Sequence, residues 1–236
     1  MSLSIGQKRK LIVERDGELL RIATWNIERL RHKDKFSLII ENCEQANADI
    51  LVLTETDLRL NLDYKFCYST AQPEDMNFYS STETRVTIYT NYALIRCHST
   101  FDEHTAVCVE LKTEIGNMIV YGTIIGIYGN RHKNFMQDLL CQVDDIERLA
   151  EENNLCVIGD FNCSFADSYY YTKNGRAALD EVFSMNDITL ITRERPECID
   201  HIAVSNRIIA NSTSKIEEWN LEKRLSDHKG IVVELT

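Results

Sequence analysis

Proline is nearly absent from this 236-residue chain, which has only Pro73 and Pro196, and no repeat or low-complexity tract is visible. No segment has the composition of a linker, so the sequence predicts a single domain over 1–236, with 1–10 as a flexible N-terminal segment. No apolar run approaches the roughly 18 residues that a membrane helix needs, and no membrane span is expected. Lys8, Arg9 and Lys10 are not followed by an apolar stretch before Glu14 and Asp16, which is not the pattern of a secretory signal. The eight cysteines are scattered without C-x-x-C spacing, and Cys108 and Cys156 lie inside apolar runs. That spacing excludes a clustered zinc site or a disulfide framework and predicts a reduced, cytoplasmic protein. Basic residues are also in deficit, with a net charge of −11. Such a charge argues against a broad basic grip on a long duplex, but not against a nuclease whose carboxylates bind cations. Nothing calls for an obligate protein partner.

What is present is an ordinary apolar fraction of 44%, enough for a sizeable core. Leu11–Val13 and Leu19–Ile27 read as strands of a hairpin around Asp16-Gly17. Further strand signals fall at Ile50–Leu53, Arg85–Thr90, Tyr92–Arg96, Ala106–Leu111, Met118–Tyr128, Leu155–Ile158, Ile188–Thr192, Ile199–Val204, Thr213–Glu217 and Ile231–Leu235. Helical spacing marks Lys35–Ala46, with Asp34 as its N-cap, then His132–Glu151 and a segment around Arg176–Ser184. Many strands with few long helices do not fit a simple alternating parallel sheet. The expected fold class is α/β, with two packed mixed sheets and helices on their outer faces.

The stretch Leu155-Cys156-Val157-Ile158-Gly159-Asp160-Phe161-Asn162 stands out. Four apolar residues without alternation read as a strand buried on both faces, and Gly159 permits an unusual backbone where it ends. Asp160 and Asn162 then project to one side, at the kind of strand mouth where open α/β sheets place chemistry. An Asx-type turn would use the same two residues. Other polar clusters also border apolar strands: Trp25-Asn26, Glu55, Asp200-His201 and Ser226-Asp227-His228. Strand ends can gather at one rim of a sandwich, so these residues could converge.

The ordered set Ala23-Thr24-Trp25-Asn26, Leu53-Thr54-Glu55-Thr56, Ile127-Tyr128-Gly129, Ile158-Gly159-Asp160-Phe161-Asn162, Ile199-Asp200-His201-Ile202 and Ser226-Asp227-His228 resembles the endonuclease/exonuclease/phosphatase superfamily. That superfamily includes exonuclease III, abasic-site endonucleases, deoxyribonuclease I, inositol polyphosphate 5-phosphatases and neutral sphingomyelinases. The resemblance implies a four-layer, deoxyribonuclease I-like sandwich and a metal-dependent phosphoesterase that hydrolyses P–O bonds by in-line attack of water. Under it, Glu55, Asn26 and Asp227 supply hard oxygen ligands for Mg²⁺ or Mn²⁺. Asp160 is the general base, and Asn162 holds the attacking water or a phosphate oxygen. His228 donates to the scissile phosphate, and Asp200 bonds its other ring nitrogen. Tyr128 matches the position of a phosphate-contacting tyrosine in abasic-site endonucleases. Arg29, Arg31 and Arg131 are candidates for flanking substrate phosphates, or belong to solvated loops. His201 reads as structural or at the rim.

The short interval from Asn162 to Asp200 leaves little room for duplex-gripping loops, which puts abasic-site specificity in doubt. The expected substrate is a phosphodiester, with nucleic acid the first candidate. The alternative is a small phosphorylated metabolite or lipid head group, and a non-catalytic binding module on the same scaffold is a third reading.

Overall fold

The apolar runs at Ile50–Leu53 and Leu155–Ile158 leave no face for water, and the architecture covers both faces of each sheet accordingly. In the computed structural model, residues 20–31, 33–72, 79–151, 153–210 and 212–236 are described. The first sheet holds β1 (Leu20–Asn26), β2 (Ile50–Asp57), β3 (Phe66–Ser69), β4 (Glu83–Thr90), β11 (Ser214–Trp219) and β12 (Gly230–Leu235), in the order β11-β12-β1-β2-β4-β3. The second holds β5 (Ala93–His98), β6 (Ala106–Thr113), β7 (Gly116–Ile124), β8 (Leu155–Asp160), β9 (Ile188–Leu190) and β10 (Asp200–Ser205), in the order β5-β6-β7-β8-β10-β9. The β1–β2 and β7–β8 pairs are parallel and the neighbouring pairs antiparallel, so both sheets are mixed.

Three apolar clusters bind the layers. Ile22, Val52, Val86 and Ile88 of the first sheet meet Val109, Val120, Ile158 and Ile202 of the second. Helix α1 (Phe36–Gln45) buries Ile39 and Cys43 against the outer face of the first sheet, beside Trp25 and Leu51. Helices α2 (Phe135–Ala150) and α3 (Lys173–Met185) bury Leu139, Ile146, Leu179 and Phe183 on the outer face of the second. The order is helix, sheet, sheet, helix, as expected. All eight cysteines are free. No helix among the described residues is long and apolar enough to cross a membrane.

Several boundaries differ from the sequence reading. Asp34 lies in a 3₁₀ turn before α1, so the N-cap position falls on Lys35 and no side chain caps the helix. Strand β7 ends at Ile124, and Tyr128 lies beyond it in a turn. The edge strand β3 and the short helix α4 (Asn206–Ile209) were not anticipated. The strand proposed at Leu11–Val13 lies outside the described residues.

The position before the key acid is the most demanding in the backbone. Gly159 lies at φ +136°, and a Cβ there would sit 2.0 Å from the Thr123 carbonyl oxygen of β7. That oxygen belongs to the neighbouring backbone and cannot swing aside as a side chain would. Gly159→Ala is therefore expected to destabilise the protein by about 3 kcal/mol or more, measured by urea unfolding. A loss below about 1 kcal/mol would show that the rim around Asp160 is more plastic than its packing implies.

Candidate active site

The topology explains why distant residues meet. β1 and β2 run parallel, so Asn26 and Glu55 lie toward the same end of the first sheet. β12 runs antiparallel to β1, which brings the 226–229 loop beside the end of β1. In the second sheet β10 is antiparallel to β8 with Asp200 opposite Asp160, so the start of one strand faces the end of the other.

Hydrogen bonds then fix each side chain. Asn26 Nδ2 donates to Asp160 Oδ2 at 3.1 Å, and the Asn162 backbone N–H donates to Asp160 Oδ1 at 2.8 Å. Asn162, at φ +48°, gives its side-chain NH₂ to the carbonyls of Ile125 and Gly126 at 2.9 and 3.4 Å. Its Oδ1, an acceptor, is the side-chain atom not used in these contacts, which suits a water better than a phosphate oxygen. His228 Nδ1 is 2.5 Å from Asp200 Oδ2, and its Nε2 is 3.4 Å from Asp227 Oδ1. The loop behind the imidazole is pinned by Ser226, which donates to the Asn26 carbonyl at 2.6 Å and accepts from the His228 N–H at 3.1 Å. Trp25 Nε1 and Asn220 Nδ2 both donate to the His228 carbonyl, at 3.1 and 2.7 Å.

Asp160, Asp200 and His228 thus form a tight trio, their ligating atoms within 4.8 Å of one another. Asp160 and Asp200 are 2% and 1% exposed. Burial pushes the Asp160 carboxyl up to about 7; His228 opposes this and Asp200 adds to it. Burial disfavours the His228 imidazolium, but the neighbouring Asp200, with Asp160 and Asp227, overcomes it and carries the ring up to about 10. By contrast His201 is fully buried, contacts Thr192 Oγ1 and the Cys163 carbonyl, and is pushed down by burial to about 4. It is a neutral core residue.

The remaining expected residues lie around the trio, not in it. Asn26 Oδ1 accepts from the Glu28 N–H at 2.9 Å, and Glu28 Oε2 accepts from the Asp227 N–H at 2.9 Å. Glu55, at φ +42°, is 3.5 Å from Arg29 Nε, and Arg31 lies 3.6 Å from Glu28. Tyr128 stands apart: it is 68% exposed, its ring rests on His132 with centroids 4.9 Å apart, and it lines a different cavity beside Phe101. Arg131 is exposed on the same loop.

Sequence reasoning missed Glu28 and Asn130. Glu28 joins Asn26 to Asp227, and Asn130 donates to the Asn162 carbonyl at 2.8 Å. A signal for Asn130 was available in its place right after Tyr128-Gly129, within the motif region. Beside the trio opens a cavity of about 280 Å³ lined by Asn162, Tyr169, Tyr170, Lys223, Asp227 and His228 among others. Lys223 Nζ reaches Tyr169 Oη at 2.7 Å across its mouth.

Residues 23–228 match the Endonuclease/Exonuclease/phosphatase family. The chain belongs to that family. No curated protein matches it, whereas many solved structures do. An AP endonuclease, LMAP, from Leishmania major is 16% identical with a TM-score of 0.72, over 92% of this chain and 88% of that one. A 3′-5′ exonuclease (NExo) from Neisseria meningitidis is 18% identical with a TM-score of 0.67, over 92% and 99% of the two chains. A humanized D. rerio TDP2 is 12% identical with a TM-score of 0.68, over 93% and 100%. At these identities the structures establish the shared fold, and the family match rests on the sequence.

The two shifted groups give the same sign of dependence on pH, in two overlapping windows. An imidazole raised on folding adds stability that is complete below its ordinary value of 6.5 and is lost as pH climbs through about 10. A carboxyl raised on folding acts in the same direction, and the Asp160 contribution falls as pH rises from about 4 to about 7. In EDTA, Asp200→Asn is expected to cost on the order of 2–4 kcal/mol at pH 6 and much less above pH 10. Urea unfolding at several pH values measures this. A cost that does not change with pH would remove the ion pair as its source.

Proposed function

We propose that this protein is a divalent-metal-dependent phosphoesterase that cleaves P–O bonds by in-line attack of water, acting first of all as a nuclease or phosphodiesterase. The observation that carries the reading is the Asp160–Asp200–His228 trio, which places a near-neutral acid beside a charged imidazole at the mouth of an open cavity. Asp160 is fixed by two donors and takes the proton of the attacking water, its raised pKa matching a base that works near neutrality. The water oxygen forms the new bond to phosphorus as the bond to the leaving oxygen breaks. Asn162 Oδ1 accepts from that water and aims it. His228 keeps its proton through Asp200 and donates from Nε2 to a non-bridging phosphate oxygen, where negative charge grows in the transition state.

The donors around Asn26 suit a hard cation. Asn26 Oδ1, Glu28, Glu55 and Asp227 offer only oxygen, the chemistry of Mg²⁺ or Mn²⁺ sites. These residues would hold the ion, with Asn26 Oδ1 keeping a second lone pair beyond its bond to Glu28. Bound there, the ion would neutralise phosphate charge and orient the ester. The trio itself is a poorer cage, because the short Asp200–His228 hydrogen bond already uses the facing atoms of that pair.

A second reading, a small phosphorylated metabolite or lipid head group, is favoured by the size of the cavity, about 280 Å³ with Tyr169 and Lys223 across its mouth. A panel of oligonucleotides, small phosphodiesters and phosphomonoesters with Mg²⁺ or Mn²⁺ separates the two. Turnover of oligonucleotides alone supports the first reading, and turnover of small esters alone the second. On whichever substrate is cleaved, Asp160→Asn is expected to lower kcat by about 10²–10⁴. A parental rate in that variant would remove Asp160 as the base.

A further inference from the structure

The turn after Asn26 is unusual in both backbone and charge. Glu28, Arg29 and Leu30 all lie at positive φ, +48°, +53° and +55°, which costs a non-glycine residue about 1–2 kcal/mol each. Across from it Glu55 lies at φ +42° within β2, at a point where the β2–β4 ladder passes directly from Thr54 to Thr56. Together these conformations bring the Arg29 guanidinium to the Glu55 carboxylate, with Nε and Oε2 3.5 Å apart and both side chains mostly buried, at 18% and 24% exposure. The guanidinium is also held from outside, 4.7 Å from the centre of the Tyr79 ring, while Arg85 approaches the same ring at 5.3 Å. Backbone strain at a functional rim persists where the surrounding contacts enforce it, and here they enforce an arginine on an acid.

We propose that Arg29 is an exchangeable counter-ion for Glu55, occupying the carboxylate until a divalent cation displaces it, so that ion and arginine compete for the same side chain. The inference rests on the reading of Glu55 as a metal ligand. Two cations placed within a few ångströms of each other repel, and a carboxylate engaged by a guanidinium offers less charge to an ion. Arg29 therefore lowers the affinity for the ion in the free protein. Once displaced, it carries a forked cationic donor to the rim where a substrate phosphate arrives.

The test is titration of Mn²⁺ into the full chain without substrate, read by calorimetry and by electron paramagnetic resonance. Arg29→Gly suits the left-handed backbone and removes the cation, and Arg29→Asn provides a second variant tolerant of the same conformation. Both are expected to bind Mn²⁺ about tenfold more tightly than the parent, with Arg29→Lys close to parental and Glu55→Gln binding weakly. Unchanged or weaker binding in both uncharged variants, with Glu55→Gln still impaired, would overturn the counter-ion role and leave Glu55 as a ligand. Parental Mn²⁺ affinity in Glu55→Gln would instead overturn the ligand reading beneath it.

Discussion

Two carboxylates, Asp160 and Asp200, face each other across an antiparallel strand pair in a site where both are almost fully buried. Two bare negative charges in that position would repel strongly with little water to screen them. The arrangement persists because one imidazole, hydrogen-bonded to Asp200 at 2.5 Å, brings a positive charge between them, and because Asp160 is lifted toward neutrality. Everything else at the rim can be understood as keeping that charge balance in place. Ser226, Trp25 and Asn220 hold the His228 backbone; Asn26 and the Asn162 N–H hold the Asp160 oxygens.

This balance spans both halves of the sandwich. Asp160, Asn162 and Asp200 are on or beside strands of the second sheet; Asn26, Glu28, Glu55, Asp227 and His228 are on or beside strands of the first. The Asn26–Asp160 and Asp200–His228 contacts cross from one sheet to the other. Their lengths are set by the apolar layer between the sheets, where Gly122 leaves just enough room for Val52, Val86 and Ile88. A side chain at Gly122 would push on the same spacing that keeps imidazole and carboxylate in register.

Much of this was legible in the sequence for a simple reason. Sheets covered on both faces give strands without polar alternation, so Ile50–Leu53 and Leu155–Ile158 announced themselves as buried, and polar residues at their ends stood out by contrast. The edge strand β3 gave no such contrast, since its residues are exposed or half-buried. Tyr128 was grouped with the site through its match to the family motif, and the apolar run before it suggested a longer strand; the strand ends at Ile124 and the turn carries the ring outward onto His132. Glu28 was missed because its place depends on three successive left-handed residues, and Glu-Arg-Leu carries none of the glycine or asparagine signals of such a turn.

That turn also shows how the rim separates two kinds of charge. In the buried trio the three side chains lie close together, Asp160 raised in pKa by burial and His228 raised by its acidic neighbours. Glu28, Glu55 and Asp227 lie closer to solvent than the trio's two carboxylates, whereas Asn26 is as buried as Asp160; Asn26 and Glu28 accept from backbone N–H groups and Glu55 faces an arginine. An ion bound inside the trio would have to break the Asp200–His228 bond and forfeit the imidazolium. On the proposed reading, an ion held at the outer oxygens would instead leave both the Asp160 carboxylate and the charged imidazole intact.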